Sequence, residues 1–142
     1  MTIEAILANK GNVVISLAAA TLVREAVALL AEKRIGACPV VDGDEVVGIM
    51  SERDVIYCLR TDGPEILDWP VSRVMTTPAI TVTREMSVLT ALSQMTRRRI
   101  RHLPVVEDSA LIGIVSIGDL VKFRMDRIEE EAQALRAYIT GA

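Results

Sequence analysis

Two short segments carry residue types able to hold a small polar molecule: Ser51-Glu52-Arg53-Asp54 and Ser116-Ile117-Gly118-Asp119. In each, Ser and Asp stand three apart, after an apolar run and before a stretch that reads as helix. That spacing fits a capping box: the Ser oxygen accepts the third helical N–H, and the carboxylate reaches back. The same placement suits ligand chemistry. A carboxylate at a helix start can accept from both hydroxyls of a ribose, while free N–H groups and the positive dipole end favour a phosphate. The one basic cluster, Arg97-Arg98-Arg99-Ile100-Arg101-His102, offers cationic forks for phosphate oxygens. A cation such as Arg99 also suits a helix C-terminus. At least one of Arg98, Arg99 and Arg101 is expected to contact phosphate. His102 has no triad partner at fixed spacing. Cys38 and Cys58, with that single His, make no zinc or dithiol pattern. They read as buried thiols of a reducing cytosol. The chain is therefore expected to bind rather than catalyse, with no metal and no required cofactor.

The elements that position these residues repeat. At an offset of 65, twelve of the 45 positions 13–57 are identical in the second half. Among them are Arg34-Ile35 and Arg99-Ile100, Pro39-Val40-Val41 and Pro104-Val105-Val106, Gly48-Ile49 and Gly113-Ile114, and the Ser and Asp of both boxes. Each copy reads as a short strand (13–17; 79–82), then a helix with apolar residues at helical spacing. Leu22, Val23, Ala26, Leu29 and Leu30 mark the first of these helices; Val88, Leu89, Leu92 and Met95 mark the second. A strand beginning at Pro follows (38–41; 103–106), where a missing N–H is tolerated. A polar turn leads to a third strand (46–50; 111–115) and a second helix. The unit is βαββα. One copy of about 60 residues buries too little surface alone, so the halves are expected to share a core. The joint is Thr61-Asp62-Gly63-Pro64, then Trp69-Pro70 and a short helix-like stretch at 71–75. The expected division is repeat 1 with a short N-terminal helix at 1–62, repeat 2 at 63–122 and a C-terminal helix at 123–142.

Composition narrows the function. Sixteen Lys and Arg against nineteen Asp and Glu give a net charge of −3, which disfavours nucleic acid. Aromatics are 3%, so stacking platforms are missing. With 51% hydrophobic residues, the core must be built from aliphatic side chains, which suits sheets flanked by helices. No apolar run approaches the ~20 residues of a membrane span, and the start, MTIEAIL, does not read as a secretory signal. A cytoplasmic location is expected.

On RIGACPVVDGDEVVGIMSERD and RIRHLPVVEDSALIGIVSIGD, together with the repeat, residues 1–122 resemble the CBS-domain family, specifically the tandem pair called a Bateman module. The resemblance implies an α/β (α+β) fold of two βαββα repeats related by a pseudo-twofold, with a C-terminal helix added here. It implies two clefts binding adenosine-containing small molecules: AMP, ADP, ATP, NAD or S-adenosylmethionine. Asp54 and Asp119 would hold ribose, with Ser51 and Ser116 near phosphate or ribose. The stretch before each Pro would surround adenine, much of it through backbone groups. Carried over, that is Gly36, Ala37 and Cys38 with Ile49, and Arg101, His102 and Leu103 with Ile114. Thr83 would contact the nucleotide in the Asp54 cleft. Its counterpart Ala18 departs from the pattern, so the Asp119 cleft is expected to be the weaker.

The last twenty residues follow another rule. Val121, Met125, Ile128, Ala132, Leu135 and Ile139 are spaced 4-3-4-3-4, a heptad seam. The seam could dock on its own domain, or on a symmetry mate or separate partner. A sensor that dimerises and signals to an effector protein is the expected function. A ligand-free structural dimer acting through its C-terminal helix is the alternative.

Overall fold

The computed structural model describes residues 1–11 and 14–141. Helix α1 (Ile3–Lys10) comes first, then strand β1 (Leu17–Ala18), α2 (Val23–Lys33), β2 (Ala37–Asp42), β3 (Glu45–Ser51) and α3 (Glu52–Asp62). Two 3₁₀ turns, Pro64–Asp68 and Val71–Arg73, lead to α4 (Val88–Arg98), β4 (His102–Glu107), β5 (Ala110–Ser116) and α5 (Ile117–Ile139). The strands order β1-β2-β3-β5-β4, with β1 parallel to β2 and the other pairs antiparallel. The two halves meet in this sheet at one pair, Glu45 opposite Ala110. The fold is a mixed α/β architecture of two similar halves, with a C-terminal helix.

The hairpins show why each strand pair forms. Gly43 takes φ 63 at the first central position of the β2–β3 turn, a conformation that costs glycine nothing. In the β4–β5 turn Asp108 and Ser109 take φ 51 and 68, the two left-handed residues of a type I′ connection.

The opening strands are shorter than expected. Residues 79–82 give only the bridge of Val82 to Val105, and the stretch expected at 13–17 is described from residue 14, with β1 confined to Leu17–Ala18. Proline explains it. Val82 N donates to Pro104 O at 3.0 Å and Val106 N donates to Val82 O at 2.9 Å. The next upstream bond would need an N–H from Pro104, which has none. In the first half Pro39 stands at the same place. There the carbonyl of Ile15 receives the Cys38 thiol instead, at 3.4 Å.

The buried helix stripes are Val23, Ala26 and Leu30 on α2 and Val88, Ala91 and Met95 on α4, the same positions at the offset of 65. Leu22 and Leu89, expected in these stripes, are exposed. Leu22 precedes α2, and Leu89 sits one residue round the helix from Val88, on the solvent side. Buried residues form two clusters, one per half. Packing does not follow chain order: Ile3 and Ile6 of α1 belong to the second cluster, beside Val82, Leu103 and Leu120. Likewise Val71 and Val74, numbered with the second repeat, close the first cluster beside Val40 and Met50. At a shift of 68 residues, Val71, Val74 and Met75 stand where Ile3, Ile6 and Leu7 stand. The Leu22–Pro70 bridge corresponds to Ser87–Thr2. Each half is therefore closed by the segment that precedes the other half in the chain, whose apolar side chains cover a sheet face that must be buried.

Helix α5 runs unbroken from its cap at Ser116 past the end of the second cluster. Its seam does not dock on the chain's own domain: Met125 is 63% exposed, Leu135 59% and Ile139 72%. Among the described residues no helix is long and apolar enough to cross a membrane.

Candidate functional site

Both Ser–Asp pairs form capping boxes. Ser51 Oγ accepts from Asp54 N at 3.2 Å and Asp54 Oδ2 accepts from Ser51 N at 2.9 Å. Ser116 Oγ accepts from Asp119 N at 3.1 Å and Asp119 Oδ2 accepts from Ser116 N at 2.8 Å. The boxes fix each carboxylate at the mouth of a cleft.

The first cleft, about 140 Å³, is lined by Ile49, Ser51 and Asp54 from the first half and by Thr76, Pro78 and Ile80 from the following segment. Arg99, Ile100, Arg101 and His102 form its far wall. Thr76 Oγ1 donates to Asp54 Oδ1 at 2.8 Å. Arg53 Nη1 donates to the carbonyl of Arg99 at 3.3 Å, tying the two halves together across the cleft.

The second cleft, about 390 Å³, is lined by Ile114, Ser116 and Asp119, by Leu7 and Lys10 of α1, and by Arg34, Ile35 and Pro39. Lys10 Nζ donates to Asp119 Oδ2 at 2.7 Å and to the carbonyl of Ile114 at 2.9 Å. Burial opposes charge on Asp119, but hydrogen bonds from Lys10 and Ser116 outweigh it and hold the carboxyl below its ordinary range. Gly36, Ala37 and His102 line both clefts, on the line between the halves. Burial, then the charges of Arg101 and Lys10, lower the His102 pKa, so its imidazole is neutral at pH 7.

Several expected site residues lie elsewhere. Thr83 and Ala18 line neither cleft. Both are exposed where the chain leaves its short strand, and Thr83 O accepts from Met86 N at 3.3 Å in the turn into α4. The ranking of clefts by the Thr83 hydroxyl therefore loses its basis; the hydroxyl beside Asp54 is that of Thr76. The side chains of Cys38 and Leu103 alternate inward along their strands and are fully buried, one in each cluster. Burial also pushes the Cys38 thiol up to about 11. Arg98 is exposed on α4 and lines neither cleft. The structure brings together Asp54, Ser51, Ile49, Ala37, Arg99, Arg101 and His102 in one place, and Asp119, Ser116, Ile114, Ala37 and His102 in the other.

Sequence reading missed Thr76, Lys10 and Arg34. Arg34 had a signal: it is the offset-65 counterpart of Arg99, and both are helix C-caps in the left-handed region, with φ 54 and 56. That conformation is uncommon for a non-glycine residue. It turns the chain sharply from helix into the strand entry, placing one arginine at each cleft. Lys10 had no signal, because only packing carries α1 across to the second half.

A third and larger cavity, about 640 Å³, is neither cleft. It is an open groove between α2, α3 and the start of α5, lined mainly by Val27, Leu30, Val55, Ile56 and Ile117. Its polar edge includes the loose pair of Arg101 Nη2 and Glu52 Oε1, 3.8 Å apart. The Asp54 and Asp119 carboxylates line the two smaller cavities and not this groove.

Comparison with known proteins agrees with this fold. A mitochondrial CBS domain-containing protein of Arabidopsis thaliana is 40% identical over 124 residues, covering 84% of this chain and 60% of that protein. A CBS domain-containing protein of Bacillus subtilis is 34% identical over 103 residues, covering 72% of this chain and 73% of its own length. The crystal structure of a CBS-domain containing protein from Agrobacterium tumefaciens superposes with a TM-score of 0.81 at 35% identity, covering 87% of this chain and 92% of that one. A CBS domain protein of Pyrobaculum aerophilum, solved complexed with AMP, matches at 28% identity and a TM-score of 0.74, covering 84% and 89%. The family model of the CBS domain itself matches twice, at residues 11–61 and 71–126. With both halves matched and the two clefts formed between them, the chain belongs to the CBS-domain family, as a tandem pair.

Proposed function

We propose that this chain is a non-enzymatic regulatory module that binds an adenosine-containing ligand between its repeats and signals to a partner protein. The observation that carries this reading is the pair of clefts, each with an Asp fixed by its own helix cap and a wall taken from the opposite half. A capped carboxylate presents unused lone pairs to a ribose diol. The strand entries at Gly36, Ala37 and His102 offer backbone groups for adenine. Arg99 and Arg101 in one cleft, and Arg34 in the other, supply forks for phosphate. The relative from Pyrobaculum aerophilum that was solved with AMP supports an adenosyl ligand. In this reading Ser51, Ile49, Asp54, Ser116, Ile114 and Asp119 bind directly, and ligand shifts the balance between two arrangements of the halves.

Nothing in this role needs a metal or redox group, and it suits a cytoplasmic compartment in which Cys38 and Cys58 stay thiols. Dimerisation through α5 completes the proposal. Val121, Met125, Ile128, Leu135 and Ile139 form an exposed apolar seam, and a twofold pair is the commonest way to bury such a face. That same seam favours the second reading, a ligand-free interaction dimer.

Thermal unfolding with AMP, ADP, ATP, NAD and S-adenosylmethionine separates the two. A ligand at 100 times its dissociation constant adds about 2.7 kcal/mol, a rise of several degrees for a chain of this length. No shift with any of the five would leave the interaction dimer as the better reading.

A further inference from the structure

The two cleft carboxylates are satisfied by different chemistry. Asp54 receives neutral donors: Ser51 N and Ser51 Oγ at 2.9 Å on Oδ2, and Thr76 Oγ1 at 2.8 Å on Oδ1. Asp119 receives an ammonium, Lys10 Nζ, at 2.7 Å on Oδ2. The same Nζ takes the carbonyl of Ile114 at 2.9 Å. Lys10 ends α1, whose Ile3 and Ile6 are anchored in the second cluster. Its counterpart at the shift of 68 is Pro78, which carries neither charge nor donor.

We propose that Lys10 makes the Asp119 cleft selective for adenosyl ligands that carry a phosphate over uncharged ones. This deepens, and rests on, the reading of the clefts as nucleotide sites. A ribose diol must compete for Asp119 with a charge-assisted bond, stronger than the neutral bonds a hydroxyl offers. An uncharged nucleoside that wins leaves the ammonium without an anion. A nucleotide brings one. Lys10 is a compact charge on a flexible four-carbon stem, and its side chain is 37% exposed, so it is free to move from carboxylate to phosphate. One ion pair then replaces another, and the Arg34 guanidinium on the same cleft adds a second cation. At Asp54 the displaced group is the Thr76 hydroxyl, which water satisfies, so the carboxylate there imposes no such selection.

The test uses the full chain with Asp54→Asn to silence the first cleft, titrated calorimetrically with AMP and with adenosine. The expected result is AMP binding at least about tenfold tighter than adenosine, the size of one hydrogen bond to a charged group. Adding Lys10→Met should shrink that ratio about tenfold, with AMP weakened and adenosine unchanged or improved. Adding Lys10→Arg should retain it, and melting curves verify that each variant is folded. A ratio unchanged by Lys10→Met overturns the proposal. So does an Asp54→Asn chain that binds neither compound while the unaltered chain binds one; that outcome places binding at Asp54 and leaves the general function standing. An unaltered chain that binds neither AMP nor adenosine, nor responds to the wider ligand panel, overturns both.

Discussion

Gly48 and Gly113 occupy corresponding positions in β3 and β5, yet alanine should be costly at the first and cheap at the second. A Cβ at Gly48 would lie 2.5 Å from Met75 Sδ, 2.9 Å from Met75 Cγ and 2.9 Å from the carbonyl oxygen of Thr76. A Cβ at Gly113 would lie 2.6 Å from Leu7 Cδ2, with the other Leu7 atoms at 3.6 and 3.7 Å. The tip of Leu7 can rotate away. The Thr76 carbonyl cannot, because it accepts from Ile49 N at 3.0 Å while Thr76 N donates to Ile49 O at 2.9 Å. Alanine for glycine within a strand gains about 0.5–1 kcal/mol through the unfolded chain, and overpacking costs about 1–3 kcal/mol. The net is a loss of about 1–2 kcal/mol for Gly48→Ala and a change within about 1 kcal/mol for Gly113→Ala. Urea unfolding reads this as a midpoint lowered by about 0.5–1 M at unchanged slope for the first variant, and nearly unmoved for the second. Since Ile49 and Thr76 line the Asp54 cleft, Gly48→Ala should also weaken ligand binding there. Equal destabilisation of the two variants would refute the reasoning that backbone, unlike a side-chain tip, cannot give way.

Other outcomes follow from the same geometry. The lowered His102 pKa means the unfolded chain binds that proton more readily, so stability falls as pH drops below 6.5 toward the folded value. Melting temperature from about pH 7 to about pH 5 should therefore fall less steeply in His102→Gln; identical slopes would count against it. Ser116→Ala removes the bond from Asp119 N at 3.1 Å and should cost about 1 kcal/mol in denaturant unfolding. Ser51→Ala should cost at least as much, because Ser51 Oγ also donates to Asp54 Oδ2 at 2.9 Å. Truncation after Met125 removes most of the exposed seam and should raise the dimer dissociation constant in sedimentation equilibrium; an unchanged constant would place the interface elsewhere.

The repeat, the helices, the two hairpins and the capping boxes were legible in the sequence because each is specified locally. Apolar residues at helical spacing, a turn between two apolar runs, and Ser with Asp three apart act within a few residues of themselves. Arg34 and Arg99 also stand in matching places in the chain, and their matching left-handed caps follow from that. What the sequence could not decide is which half each segment serves. Helix α1 closes the second half and residues 71–75 close the first, because burial of Ile3, Ile6, Val71 and Val74 is settled by which sheet face lies open in three dimensions. The cleft carboxylates therefore meet partners remote in the chain: Thr76 is 22 residues from Asp54, and Lys10 is 109 from Asp119. Thr83 lies outside both clefts, which its position in the sequence does not reveal. Its place along the chain looked right, but the missing N–H of Pro104 ends the parallel ladder at Val82 and the next residue turns out to solvent. Sequence periodicity sets which face of a strand or helix is apolar, whereas only the packed molecule sets what that face meets.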